Sequence, residues 1–248
     1  MQAPSSHLPI AIIGAGPAGL MAAELLSEAG LAVDVYDAMP SVGRKFLLAG
    51  IGGLNLTHSE PLDKFVPRYG ARAPQVAAWL EALGPQALRD WVRGLGLDTF
   101  VGSSGRVFPT DMKAAPLLRA WLARLRARGA RFHARTRWLG WEPEGALRLQ
   151  GPAGVFTLTP RATVLALGGG SWQRLGSDGA WVPWLQARGV DVAPLQPSNC
   201  GFDVQGGWSE HLQTKHAGEP LKNVALAFTS AGGQHFAQSG ECVLTATG

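Results

Sequence analysis

Ile10 to Ile13 is an unbroken apolar run with the length of a buried strand, and it opens the clearest pattern in the chain. It enters a turn carrying Gly14, Gly16 and Gly19, after which a helical pattern continues to Gly30. A second β-rich run, Ala32 to Tyr36, ends on Asp37. Strand, helix and strand in that order predict a βαβ unit. Glycines and prolines then recur between Pro40 and Pro61, which forbids a long helix there. Residues 74 to 93 read as two short amphipathic helices broken at Gly84-Pro85, with Val76, Trp79, Leu80 and Leu83 on one face and Leu88, Trp91 and Val92 on another. Their tryptophans are expected to pack.

A further helix, from about Lys113 to Gly129, carries an apolar stripe of Leu117, Leu118, Trp121, Leu122 and Leu125. From Ala130 the period changes to two, and four short strands over about 130–167 predict a β-meander inserted into the fold. A helix with Trp181, Trp184 and Leu185 follows and closes at Gly189. Beyond it the chain is broken by prolines and then turns β-rich. The expected organisation is an α/β, Rossmann-like domain over 1–192 and the start of a β-rich domain over 193–248.

The glycine-rich turn is where chemistry enters. Gly14 permits a tight turn, Gly16 lets backbone approach a pyrophosphate, and Gly19 lets the helix pack close to the strand. The helix N-terminus then offers free N–H groups and the positive end of its dipole to the phosphates. Asp37, 18 residues after Gly19, is placed to accept from ribose hydroxyls, and its charge repels a 2′-phosphate. FAD or NAD therefore suits this site better than NADP. In the loop beyond, Arg44 and Lys45 are within reach of the phosphates or a flavin edge, and Asn55 and Thr57 are able to bond a heterocycle. His58 is the nearby group that titrates near neutrality. Further on, Leu167, Gly168 and Gly169 again bring backbone close to something large.

Composition narrows the class. With 46% hydrophobic and 16% charged residues the sequence reads as globular, and no apolar run is long enough to span a membrane. A basic, then apolar, N-terminal leader is lacking. Cys200 and Cys242 are far apart and form neither a CxxC nor a metal framework, so they read as reduced thiols of a cytoplasmic protein. The net charge of +4 is uneven: Arg119, Arg124, Arg126, Arg128, Arg131, Arg135 and Arg137 crowd a stretch free of acids. Such a stretch is able to steer a polyanion such as RNA, or to form the solvated face of a helix and strand.

Several segments together resemble the BaiN/RdsA group of FAD-dependent oxidoreductases, also labelled YhiN-like or aminoacetone-oxidase-like. They are GAGPAG at 14–19, GRK at 43–45, LNLT at 54–57, GRVFP at 105–109, LALGGGSW at 165–172, PLQP at 194–197 and GEPLKNV at 218–224. The resemblance implies a flavoprotein of glutathione-reductase type with an inserted β-rich domain. It places the pyrophosphate on Gly14, Ala15, Gly16, Pro17 and Ala18, the ribose on Asp37, and the region near the flavin on Arg44 and Asn55; Gly19, Ala38 and Lys45 are further candidate cofactor contacts. Trp138 would meet adenine through its backbone.

Members of the group reduce a C=C bond conjugated to a carbonyl, by hydride from reduced flavin, so a small-molecule substrate and NAD(P)H as transient co-substrate are implied. Lys45 and His58 are the candidate proton donors. Alternatives are a flavin amine or aminoketone oxidase, and an RNA-associated flavoprotein. Where relatives carry an arginine and a cysteine, this chain has Gly53 and Leu54, and a charged contact is lost. A closing glycine-rich strand and helix is missing at the C-terminus, so the resemblance implies the N-terminal portion of a longer protein.

Overall fold

A computed structural model describes residues 8–49, 52–196 and 201–248. Its centre is a parallel sheet built from β1 (Ile10–Ile13), β2 (Val33–Tyr36), β6 (Arg131–His133) and β10 (Ala162–Leu165). The spatial order is β6-β2-β1-β10, so the order reverses between β1 and β10. Helix α1 (Pro17–Glu28) joins β1 to β2. Pro17 suits its first turn, and Gly30 closes its end at φ 74°, with the Leu31 N–H returning to the Leu26 carbonyl at 3.0 Å.

Between β2 and β6 run α2 (Arg44–Ala49), β3 (Thr57–His58), α3 (Leu62–Phe65) with a 3-10 turn after it, α4 (Ala73–Ala82), α5 (Pro85–Gly94), β4 (Thr99–Val101), β5 (Arg106–Pro109) and α6 (Ala114–Ala127). Strands β3, β5 and β4 form a small antiparallel sheet.

Alternation along the parallel strands divides the core in two. Ile12, Val33 and Val35 face Leu20 and Ala23 of α1 and Leu118, Trp121, Leu122 and Leu125 of α6. Ala11, Ile13 and Tyr36 face the opposite side, against Trp138, Leu147 and Leu149. That second layer is a three-stranded antiparallel sheet of β7 (Arg137–Trp141), β8 (Leu147–Gly151) and β9 (Gly154–Leu158).

The expected four-stranded meander is corrected here: its outer members belong to the parallel sheet. The first period-two stretch is cut at Arg135, whose φ of 53° redirects the chain, so β6 pairs with β2 while β7 starts the meander. The last stretch, β10, pairs with β1.

Helices α4 and α5 break at Gly84-Pro85 as the pattern predicts, but α4 buries no residue and Trp79 is 69% exposed. The expectation that both tryptophans pack holds for Trp91, whose ring lies edge-on to Trp121 at 4.7 Å. After β10 comes α7 (Val182–Gln186).

The chain divides into two compact units at Leu195/Gln196. The second contains α8 (Glu210–His216) and a hairpin of β11 (Pro220–Thr229) and β12 (His235–Val243), with a register shift between Leu221 and Val224. Cys242 is a free thiol; Cys200, and Gly50 and Ile51 of the glycine-rich loop, lie outside the described residues. Among the described residues no helix is long and apolar enough to cross a membrane, and no cluster of metal-ligating side chains occurs.

Four of the seven arginines in the arginine-rich stretch pair with acids: Arg124 and Arg128 with Glu24, Arg131 with Asp34, and Arg137 with Asp178. Glu24 of α1, 3% exposed, accepts from Trp121 Nε1 at 3.0 Å, Arg124 at 2.9 Å and Arg128 at 3.0 Å. Three donors on one carboxylate tie α1 to α6 beneath the sheet. Glu24→Ala strands these donors, two of them partly solvated, so it is expected to destabilise the protein by about 2–4 kcal/mol in urea unfolding. Arg119→Ala, at an exposed position, is expected to change stability by less than about 0.5 kcal/mol.

Candidate dinucleotide site

At the carboxyl ends of β1, β2 and β10 a cleft opens at the point where the strand order reverses, which is where open parallel sheets bind ligands. Its floor is the turn after β1. Gly14 sits at φ 103°, and a Cβ there would overlap the Ala166 carbonyl oxygen. A Cβ on Gly19 would overlap the Gly14 carbonyl oxygen and lie 3.3 Å from Ala166 Cβ. Both glycines are therefore required by the close approach of α1 to the sheet.

Gly16 differs: its φ of −78° suits any residue, and a Cβ on it would meet nothing within 4 Å. Neither backbone strain nor protein packing requires a glycine there. The added Cβ would occupy the open space of the cleft.

The amide groups of this turn divide in the same way. Ala15 N–H donates to Asp37 Oδ2 at 2.7 Å, and Met39 N–H donates to Oδ1 at 2.8 Å. Asp37 thus braces the turn against the end of β2, while each of its oxygens keeps lone-pair capacity toward the cleft. Among the described residues no protein group accepts from the N–H of Gly16, Ala18 or Gly19, and α1 has no side-chain cap. The helix presents its positive end uncapped.

Of the residues expected at the site, Gly14, Ala15, Gly16, Pro17, Asp37, Ala38, Arg44, Lys45, Trp138, Leu167 and Gly168 line the cleft. The buried Nε of Arg44 has no protein partner among the described residues. Ala18 lies on the exposed first turn of α1 and Gly19 is buried beneath it, so neither lines the cleft. Gly169 does not line the cleft; its carbonyl accepts from Ser177 Oγ at 2.9 Å.

Asn55 is exposed on its loop and outside the cleft. His58 is outside as well, which corrects its candidacy as a proton donor. Its Nδ1 accepts from the Glu60 N–H at 3.1 Å, leaving Nε2 to donate to the Ser104 carbonyl at 3.0 Å. It buttresses the turn at Gly105, where a Cβ would come within 2.6 Å of the ring.

Trp181, Trp184, Arg137 and Asp178 add walls at positions that the sequence did not single out as ligand contacts. Trp138, 4% exposed, meets Trp184 edge-on at 4.9 Å, and Trp181 and Trp184 of the segment after β10 complete an aromatic side. Arg137 pairs with Asp178 at 3.1 Å, and Lys45 Nζ donates to Ser171 Oγ at 2.7 Å.

Tyr36 lines the floor and stacks on His133, with ring centroids 4.5 Å apart. Its phenol is pushed up to about 12, first by burial and then by the charge of Asp34. Asp34, itself 4% exposed, is gripped by Arg131 at 2.7 and 2.6 Å and by His133 at 2.8 Å. Burial alone would raise its carboxyl, but these bonds and charges hold it below the ordinary range.

A parallel βαβ core, an uncapped helix N-terminus at the reversal point and a braced acid at the end of the second strand define a Rossmann-like α/β domain of the dinucleotide-binding kind. The chain belongs to the HI0933-like family, whose Rossmann domain matches residues 8–245. In fold it is similar to the 3-ketosteroid-Δ4-(5α)-dehydrogenase of Rhodococcus jostii RHA1, with a TM-score of 0.56 and 16% identity over 74% of this chain and 54% of that one. It is also similar to a flavocytochrome c3 fumarate reductase in its open conformation, with a TM-score of 0.50 and 21% identity over 67% of this chain and 34% of that one. This chain therefore spans about half the length of the first and a third of the second. Comparison with curated proteins gave no sequence match.

Two outcomes follow from the electrostatics. Tyr36 has a folded pKa above its unfolded one, so its contribution to stability is full below about pH 10 and lost as the pH rises toward about 12. Tyr36→Phe is expected to remove that alkaline step from a spectrophotometric titration. Asp34 has the opposite sign: its contribution is full above the ordinary carboxylate range and lost as the pH falls below that range through its lowered folded pKa. Asp34→Asn is expected to flatten the acid limb of stability against pH.

Proposed function

We propose that this chain carries the FAD site of an FAD-dependent oxidoreductase. The observation that carries the reading is Gly16, a glycine that neither its φ nor its protein neighbours require, beside unpartnered N–H groups at the start of α1. The residues fit the cofactor. Gly16 and the first turn of α1 would hold the pyrophosphate, Asp37 the ribose, and the unpartnered side of Arg44 a phosphate oxygen. The wall at Trp138 supplies an apolar surface for adenine. When bound, FAD supplies two-electron redox chemistry, and the protein's part is to position it and shield it from water. Membership of the HI0933-like family and the likeness in fold to oxidoreductases support this reading.

The narrower resemblance to the BaiN/RdsA group extends the proposal to a small-molecule substrate whose C=C bond is conjugated to a carbonyl, with NAD(P)H as reductant. Lys45 lines the cleft and is the remaining candidate proton donor.

Reconstitution with FAD followed by desalting is expected to leave a bound flavin absorbance band; a colourless protein would overturn the proposal. Gly16→Val is expected to weaken FAD retention at least about tenfold while changing unfolding free energy by less than about 0.5 kcal/mol. Gly19→Ala is expected to show the reverse emphasis, losing about 1–3 kcal/mol of stability through overpacking. For the substrate class, anaerobic NADH consumption with a conjugated enone is the expected result. Peroxide release with aminoacetone in its place would point to an oxidase.

A further inference from the structure

The segment after β10 does more than connect. From Gly170 to Gly179 it leaves and returns through a narrow neck: a Cβ on either glycine would sit 3.7–3.9 Å from the backbone of the other. The loop is closed on itself by the Trp172–Ser177 bridge and by Ser177 Oγ to the Gly169 carbonyl. Compact surface loops of this kind, with close ends and their own internal packing, are frequently functional. Gly168 at φ 72° and Gly179 at φ 67° supply backbone freedom at the two ends.

The loop lies along the cleft, where Leu175, Gly176, Ser177 and Asp178 line it, and Gly176 meets Met39, two residues beyond Asp37. Two polar contacts fasten it to opposite elements. Ser171 accepts from Lys45 Nζ of α2 at 2.7 Å, and Asp178 pairs with Arg137 at the start of β7 at 3.1 Å. Both fastenings are partly or fully solvated, and such contacts are individually weak. Weak, paired and placed at opposite ends of one loop, they suit an element that must open.

We propose that residues 170–179 are a strap gating entry and release of the dinucleotide, held shut by the Lys45–Ser171 and Arg137–Asp178 latches. The inference rests on the FAD reading of the cleft. A gate and a simple ligand contact differ kinetically: loosening a gate speeds binding and release together, whereas removing a contact speeds release alone.

The test is stopped-flow measurement of FAD association and dissociation for the full chain, using Asp178→Asn and Ser171→Ala. Both rate constants are expected to rise about three- to five-fold in each variant, with the equilibrium dissociation constant changed less than about two-fold. Reversing the pair in an Arg137→Asp, Asp178→Arg double variant is expected to return both rates toward wild type. Ser171→Ala alters an exposed position, so it keeps the test open should Asp178→Asn fail to fold. Faster release with unchanged association would overturn the gate, as would rates unmoved in both variants. A wild-type protein that binds no FAD would overturn the reading of the cleft itself and the gate with it.

Discussion

At its first turn helix α1 approaches the sheet so closely that neither Gly14 nor Gly19 has room for a Cβ, and the rest of the site depends on that contact. Gly14 and Gly19 meet each other and Ala166 across the gap. The approach fixes where α1 begins, and hence where its unpartnered N–H groups point. Asp37 holds the same turn from the other side through the Ala15 amide. One carboxylate thus braces the β1 turn against β2, and the cleft between them is set before any ligand arrives. This is preorganisation in the ordinary physical sense: ordering entropy is lost during folding rather than binding.

Deeper in the molecule, charge is arranged to hold elements of distant sequence together. Glu24 links α1 to α6, and Asp34 links β2 to β6 through Arg131 and His133. Each acid sits on the βαβ unit and each base comes from about a hundred residues further on. The long excursion between β2 and β6 therefore returns to a defined register, with Asp34 opposite Arg131 and Tyr36 opposite His133. The way back to β10 is made by a three-stranded sheet in place of a helix, and it covers the face of Ala11, Ile13 and Tyr36 with Trp138, Leu147 and Leu149.

Much of this was legible in the sequence because it is local. The glycine spacing, the helix and the terminal acid lie within 28 residues and specify their own geometry. The apolar stripe of α6 likewise names its buried face. What was not legible depends on partners from elsewhere. Period-two alternation marks a strand but not its sheet, so the stretch cut at Arg135 read as one meander arm. His58 carried the right chemistry for a proton donor, yet pairing of β3 with β5 draws it to the Ser104 turn and away from the cleft. The Arg137–Asp178 pair spans 41 positions and has no local signal. Trp181 and Trp184 were visible as a helical stripe, but only the return of the chain over β7 makes them a cleft wall.

The acid partners of the arginine-rich stretch carry a consequence for how this protein would behave when damaged. Arg124 and Arg128 converge on the nearly buried Glu24, and Arg131 on the nearly buried Asp34, so part of their field is neutralised from within. Loss of an inner carboxylate would unmask cations on a loosened scaffold. The altered protein would then adhere to heparin or nucleic acid as a symptom of misassembly, mimicking a gained affinity.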